Sequence, residues 1–272
     1  MTVDAPSKDR TQENFPVGSI LIHRRLRPHV HAFYNFARRG DDIADSPALP
    51  PDDKLAQLDQ MEAVLLGRAD GVASAEALRD SLGATGVTPR HAQDLLMAFR
   101  QDAIKQRYAT WDELLNYCKL SAMPVGRHVL DLHGEEPSTY APSDPLCAAL
   151  QVLNHLQDGT KDLAALDRCY LPQDLLDAAG AQVADLAGPA GTPALRMVWD
   201  RLLDRVDSMN AAAAALPART RDRRLRLETA IIHGLSVRLT ARLRRGDPVA
   251  TRVKLRKSDV AGAILSALRY AR

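Results

Sequence analysis

Aromatic side chains are scarce, at 4% of 272 residues, against a high content of Ala and Leu. Gly and Pro collect between periodic segments rather than inside them, so helix is favoured over sheet and the body is expected to be all-helical. Cysteine is nearly absent: Cys118, Cys147 and Cys169 are an odd number with no C-x-x-C pair, which argues against a disulfide framework and a zinc knuckle. A reducing compartment is the natural setting. Long apolar runs are missing as well. No stretch reaches about 18 uncharged apolar residues, and MTVDAPSKDRTQENFP at the N-terminus has no apolar core of signal-peptide length, so the expected location is cytoplasmic, at most peripheral to a membrane. What is present, 46% hydrophobic and 26% charged residues, is the balance of a soluble globular protein with one large core or two modest ones. Disorder and fibrous structure are excluded.

The net charge of +2 conceals an asymmetry. Residues 217–272 hold 15 Lys or Arg and 4 Asp or Glu, a local +11, which leaves −9 for the rest. In RTRDRRLRLETAIIHGLSVRLTARLRR apolar residues interleave with cations at helical spacing. Such a segment is either a solvated helix face packed on the acidic part of the chain, or a surface for an anionic membrane or an acidic partner. Nucleic acid is not expected, because no recognised binding module accompanies the charge.

Helical patterns follow one another with short breaks, and no fixed period indicates a solenoid. Residues 1–272 therefore read as one domain, with residues 1–12 expected to be flexible. Pro28 suits the first turn of a helix through HVHAFYNFARRGDDIAD, which Ser46 and Pro47 end. A second helix is predicted from Pro51 through KLAQLDQMEAVLLG, a third from Pro89 through HAQDLLMAFRQDAIKQR, and then one through WDELLNYCKLSAMPVGRHVLDLHG. The loop EEPSTYAPSDP leads into LCAALQVLNHLQDGTKDLAAL. After a break at CYLPQ come DLLDAAGAQVADLAG and, opened by Pro193 and closed by Pro217, ALRMVWDRLLDRVDSMNAAAAAL. With the basic tail the total is eight or more helices, most with one apolar face, expected to pack as a single bundle around a central space.

Two groups of carboxylates stand out. Asp41, Asp42 and Asp45 share the first helix, and the four-residue spacing stacks Asp41 under Asp45 with Cβ atoms about 5–6 Å apart. The stripe of Val30, Phe33, Tyr34 and Ala37 runs into them on the same face, whereas a solvated acidic face would lie opposite. In the helix after the Pro-rich loop, Gln151, Asn154, Asp158 and Asp162 follow at steps of three, four and four residues among Leu150, Val152, Leu153 and Leu156. Burying such a polar stripe with nothing bound costs several kcal/mol. Taken singly, either pair could be ordinary surface, and Asp158-Gly159 could be a plain turn. Hard oxygen donors with no His or Cys at ligand spacing suit Mg²⁺, which prefers few carboxylates plus phosphate oxygens. The pattern predicts two acidic helices holding magnesium and, through it, a diphosphate. Arg38 and Arg39 supply cations beside the first group, either as local ion pairs or as forks for phosphate. His23, His29 and His31 are too closely spaced to face one ion.

These residues resemble the squalene and phytoene synthase family, the head-to-head trans-prenyl diphosphate synthases. DDIAD at residues 41–45 is similar to the family's first aspartate-rich motif, and QVLNHLQDGTKD at 151–162 to its second. YCKLSAMPVG at 117–126 and DRCYLP at 167–172 resemble the family's Tyr-Cys and Arg-Tyr segments, in the right order. The likeness spans roughly residues 11–260. It implies an all-α isoprenoid synthase fold in which Asp41, Asp45, Asn154, Asp158 and Asp162 hold Mg²⁺ and the diphosphate. It further implies that Tyr34, Arg38, Tyr117 and Gln151 line the reaction cavity, and that Tyr34, Tyr117 and Asn154 act in catalysis. Arg38, Asp42, Gln151, Lys161 and Arg168 would bind substrate. The sequence departs from the family at Gln157, where the family has Arg, at Lys161, where it usually has Glu, and at Pro124, which should kink its helix.

Within the family, ENFPV near Asn14, FYNFARRGDDIAD, SAMPVGR and LQVLNHLQD are most similar to the bacterial hydroxysqualene synthase subgroup of the hopanoid route. That subgroup converts presqualene diphosphate to hydroxysqualene without a reductant, and no strand-linked G-x-G-x-x-G fingerprint is present here. The resemblance implies Mg²⁺ as cofactor, presqualene diphosphate as partner, and contact with other squalene-pathway enzymes. One water must be admitted late to the cation, and Asn154 and His155 are candidates for positioning it, although His155 reads as stepping off the motif's face. Tyr34 and Tyr117 could stabilise cations through their ring faces or simply be core aromatics. Two other readings stay open: a synthase condensing two prenyl diphosphates, of the presqualene diphosphate, squalene or phytoene type, and a family-like scaffold without catalysis.

Overall fold

The computed structural model describes residues 21–271. The expected flexible start and the ENFPV segment lie outside the described residues. Among those described there is no strand, and twelve α-helices follow one another. The described residues divide into two compact units, one holding residues 21–104 together with Pro124–Pro137, the other Lys105–Met123 and residues 138–271.

The first unit is built on α1 (Arg27–Ala44), α2 (Pro51–Leu65), α3 (Ala73–Thr85) and α4 (Arg90–Ile104). Pro28 sits in the first turn of α1, where its missing N–H has no intrahelical acceptor to lose. Val30, Phe33, Phe36 and Ile43 turn the apolar side of α1 inward against α3 and α4. Helix α3 was absent from the sequence-based expectation. Its short stretch buries only Ala75, Leu78, Ser81 and Leu82, too mixed a set for a clear period, and it stops at Gly86, whose φ of +71° suits a left-handed cap.

The expected single helix through the Tyr-Cys segment is in fact two, α5 (Trp111–Ser121) and α6 (Met123–Leu132), separated at Ala122. Pro124 breaks the run rather than kinking it, and sits in the first turn of α6. The Pro-rich loop is likewise shorter than expected. Helix α7 runs from Tyr140 to Leu166, with Pro142 in its first turn and Pro145 inside it. Asp158-Gly159 is therefore mid-helix, and the turn reading is set aside.

In the second unit α7 packs on α5, on α9 (Pro193–Ala213) and on α11 (Arg223–Leu243). Val152, Leu153 and Leu156 are buried on its apolar side. Between α7 and α9 in sequence lies α8 (Gln173–Ala179). Pro217 opens the short α10 (Leu216–Arg219) instead of merely closing α9, and the basic tail supplies α11 and α12 (Lys257–Ala267). Side-chain caps fix the starts of these elements: Thr110 on α5, Thr192 on α9 and Asp222 on α11 each accept backbone N–H bonds of 2.8–3.2 Å. Part of the basic tail is packed on acidic groups of its own unit. Arg244 reaches Asp204 and Asp207 at 2.6 Å each, and Arg242 pairs with Asp259.

One close approach positions the first carboxylate group. A Cβ on Gly40 would lie 2.5 Å from the Phe99 ring of α4, so only glycine lets α1 sit this near. Gly40→Ala is expected to lower stability by about 1–3 kcal/mol, read as a lower melting temperature, with part of the loss restored by adding Phe99→Leu. An unchanged melting temperature would contradict the packing described.

Candidate active site

On α1, Tyr34 is half-buried and Arg38 is almost wholly covered, its side chain 10% exposed. The Arg38 guanidinium donates from Nη2 and Nε to Oδ1 of Asp42, at 2.7 and 3.1 Å, and from Nη1 to Oδ2 of Asp41, at 2.8 Å. One cation thus compensates two carboxylates that would otherwise repel. Asp45, one turn further, is half-buried. Arg39 is half-buried as well. The same unit holds histidines whose placement the spacing does not reveal. His29 Nδ1 lies 2.9 Å from Ser81 Oγ, and His91 Nε2 lies 2.8 Å from Asp131 Oδ2. His128 stacks on Phe33 with ring centroids 3.8 Å apart. Burial, with the neighbouring His91 and His29 adding to it, holds His128 down to about 3.

On α7, Gln151, Asn154, Asp158 and Asp162 are half-buried, and Lys161 is exposed. Asp158 is gripped by Arg252, which lies 94 residues later: Nε donates to Oδ1 at 2.6 Å and Nη2 to Oδ2 at 2.9 Å. This bidentate pair was not foreseen, because nothing in the local spacing of either segment points to the other. Next to it, the Gln157 amide donates to the Val253 carbonyl at 2.6 Å. The position where the family resemblance expects an arginine therefore anchors the strap that carries one.

Tyr117 of α5 belongs to an aromatic nest. Its ring lies 5.5 Å from Tyr108, 5.6 Å from Tyr170 and 6.0 Å from His155. His155 stacks on Tyr170 with centroids 3.5 Å apart and planes 15° from parallel. It is 94% buried, and neither ring nitrogen has a hydrogen-bond partner among the described residues. Burial, reinforced by the positive charge of Arg168, pushes its pKa down to about 3, so the imidazole is neutral at physiological pH. At about 100° per residue His155 stands at the edge of the motif's face, about 20° from Asp162, 40° from Gln151 and 60° from Asp158, and it packs on Tyr170 while those three are half-buried. Arg168 is buried and donates to the Tyr170 hydroxyl at 3.3 Å. Cys118, beside Tyr117, is no nucleophile: burial pushes its thiol up to about 12.

The donors fit a hard divalent cation, since they are oxygens only and spaced one turn apart: Asp41 on α1 with Asp45 at its C-cap, and Asn154, Asp158 and Asp162 on α7. Among the described residues no three His, Cys, Asp or Glu side chains are gathered as a metal cluster. Asp41, Asp42 and Asp158 are instead held by Arg38 and Arg252.

A sequence profile of squalene/phytoene synthases matches residues 8–259. The chain is 47% identical over 261 residues to a hydroxysqualene synthase of Rhodopseudomonas palustris, covering 96% of this chain and 89% of that protein. It is 40% identical over 257 residues to a hydroxysqualene synthase of Zymomonas mobilis, covering 94% and 86%. The crystal structure of squalene synthase HpnC from Alicyclobacillus acidocaldarius superposes with a TM-score of 0.76 at 31% identity, over 87% of this chain and 90% of that one. A dehydrosqualene synthase structure, at 20% identity, shares the fold with a TM-score of 0.77 over 95% and 92% of the two chains. The all-helical isoprenoid synthase fold expected from the motifs is thereby established, and the chain belongs to the squalene/phytoene synthase family.

Proposed function

We propose that this enzyme converts presqualene diphosphate to hydroxysqualene in hopanoid biosynthesis. The observation that carries the reading is the 40–47% identity, over nine-tenths or more of the chain, to three hydroxysqualene synthases. In the reaction the carbon–oxygen bond to diphosphate breaks, the resulting cation rearranges to the 1-1′ linked skeleton, and water adds its oxygen while losing a proton.

The residues divide this work. Asp41 and Asp45 in the first unit, with Asp42 beside them, and Asn154, Asp158 and Asp162 in the second would offer oxygen donors to Mg²⁺. When bound, magnesium neutralises the diphosphate and so makes it a better leaving group. Arg38 and Arg252, released from their carboxylates, offer planar forks to phosphate oxygens. Gln151, Lys161 and Arg168 are further candidates for substrate binding. Tyr34 and Tyr117 present ring faces on which cationic carbon is stabilised, and the buried apolar surroundings of Tyr117 keep bulk water from capturing the cation early.

His155 has the properties needed for the late water. It is neutral, and it offers one N–H and one lone pair that no protein group uses. It lies against the tyrosine rings rather than in solvent. The water lends its lone pair to the cation, and the proton it sheds passes to the imidazole nitrogen and from there to the departing diphosphate. An oxonium is so strong an acid that even a base with a pKa near 3 accepts its proton.

Purified enzyme given presqualene diphosphate and Mg²⁺ should release hydroxysqualene and diphosphate at the same rate with or without NADPH, as read by mass spectrometry. Squalene formed only with NADPH, or presqualene diphosphate made from farnesyl diphosphate as the sole activity, would overturn the reading. Asp45→Asn and Asp158→Asn should each lower turnover by about a hundredfold or more. His155→Phe should leave diphosphate release within about threefold of the parent while the product shifts from alcohol to elimination hydrocarbons, with His155→Gln recovering part of the alcohol. An unchanged alcohol fraction in His155→Phe would remove the histidine from this role. Because the imidazole is already neutral, the parent's alcohol fraction should stay flat across neutral pH.

A further inference from the structure

Helix α12 is packed on α11 through Ala263 and Ala267, both buried. Its outward side is not polar. Val260 is 40% exposed, Ile264 45%, Leu265 71% and, one residue past its end, Leu268 54%. Together with exposed Ala261 they cover an arc of about 140° at 100° per residue. This is a continuous apolar stripe rather than scattered surface residues.

The charges around the stripe differ from those elsewhere in the basic region. Arg238, Arg242, Arg244 and Arg252 are used internally, on Ser266, Asp259, Asp204 with Asp207, and Asp158 respectively. Lys254, Arg256 and Lys257, immediately before the stripe, are exposed and their side chains pair with no carboxylate among the described residues, while the Arg256 backbone N–H donates to Asp259 Oδ2 at 2.7 Å. Arg269, just beyond it, is exposed and turned onto the Tyr270 ring. An apolar face bordered at both ends by uncompensated cations matches the interfacial region of an anionic bilayer, where the hydrocarbon side chains enter the acyl boundary and the cations meet the headgroup phosphates. No helix among the described residues is long and apolar enough to cross a membrane, so the contact is a peripheral one.

We propose that α12 and its flanking cations form a docking face by which the protein lies on an anionic lipid surface. Both parts are needed. The cations bring the protein to the surface and lose effect in high salt, and the apolar stripe holds it there.

The test is co-sedimentation of the full-length protein with phosphatidylcholine vesicles, with and without phosphatidylglycerol. The parent should bind the anionic vesicles and be released by high salt, and should bind the neutral vesicles at least about tenfold more weakly. Ile264→Asp with Leu265→Asp should weaken binding to anionic vesicles by about tenfold or more, as should Lys254→Glu with Lys257→Glu. Melting temperature and turnover of a soluble substrate should stay as in the parent, because all four side chains are exposed and none is in the active site. Equal sedimentation of parent and variants, or none of the parent, would overturn the proposal. So would a lipid-free dimer of the parent that the Ile264→Asp, Leu265→Asp variant abolishes, because the stripe would then be an interface between two copies of the chain.

Discussion

A carboxylate carried into a partly buried position needs a counter-charge, and that requirement organises the functional side of each unit. In the first unit Arg38 is drawn across Asp41 and Asp42 within a single helix. In the second the counter-charge of Asp158 comes from Arg252, on the strap that leads into α12. The strap is tied down again by Gln157 through the Val253 carbonyl. Asp158 is thus tolerated beside a core of Val152, Leu153 and Leu156 because its charge is matched before any ligand arrives.

The same arrangement prepares the chemistry. On the proposed function, guanidinium groups resting on carboxylates would be at hand for phosphate oxygens if a metal took the carboxylates over, so the charge would change partners rather than appear anew. The aromatic nest of Tyr108, Tyr117, Tyr170 and His155 has the opposite character, with rings in contact and two cations, Arg168 and Lys105, at its edge. A cation formed near such rings is stabilised without being quenched. On the proposed function, His155 is the group there that would hand it a water.

Much of this was legible in the sequence, because the groups that matter most lie on single long helices. The spacing of 41–45 and of 151–162 put the donors on one face each, and the helices carrying them are present. The failures also have physical causes. Proline is tolerated in a first turn, so Pro142 and Pro124 mark helix starts where a loop and a kink were expected. Helix α3 is short and buries a serine among small apolar residues, leaving little period to detect. Arg252 was invisible for a different reason: an ion pair spanning 94 residues is a property of the folded chain, and no local pattern encodes it.

The account turns on guanidinium groups standing on the carboxylates proposed to bind Mg²⁺, and calorimetric titration with Mg²⁺ measures this directly. If Arg252 occupies Asp158 in the free protein, Arg252→Gln should bind Mg²⁺ several-fold more tightly than the parent when no diphosphate is present. It should then gain less than the parent when inorganic diphosphate is added, because the fork for phosphate is gone. Equal or weaker Mg²⁺ binding by Arg252→Gln would contradict the account, for it would mean that the arginine was not holding the carboxylate against the metal.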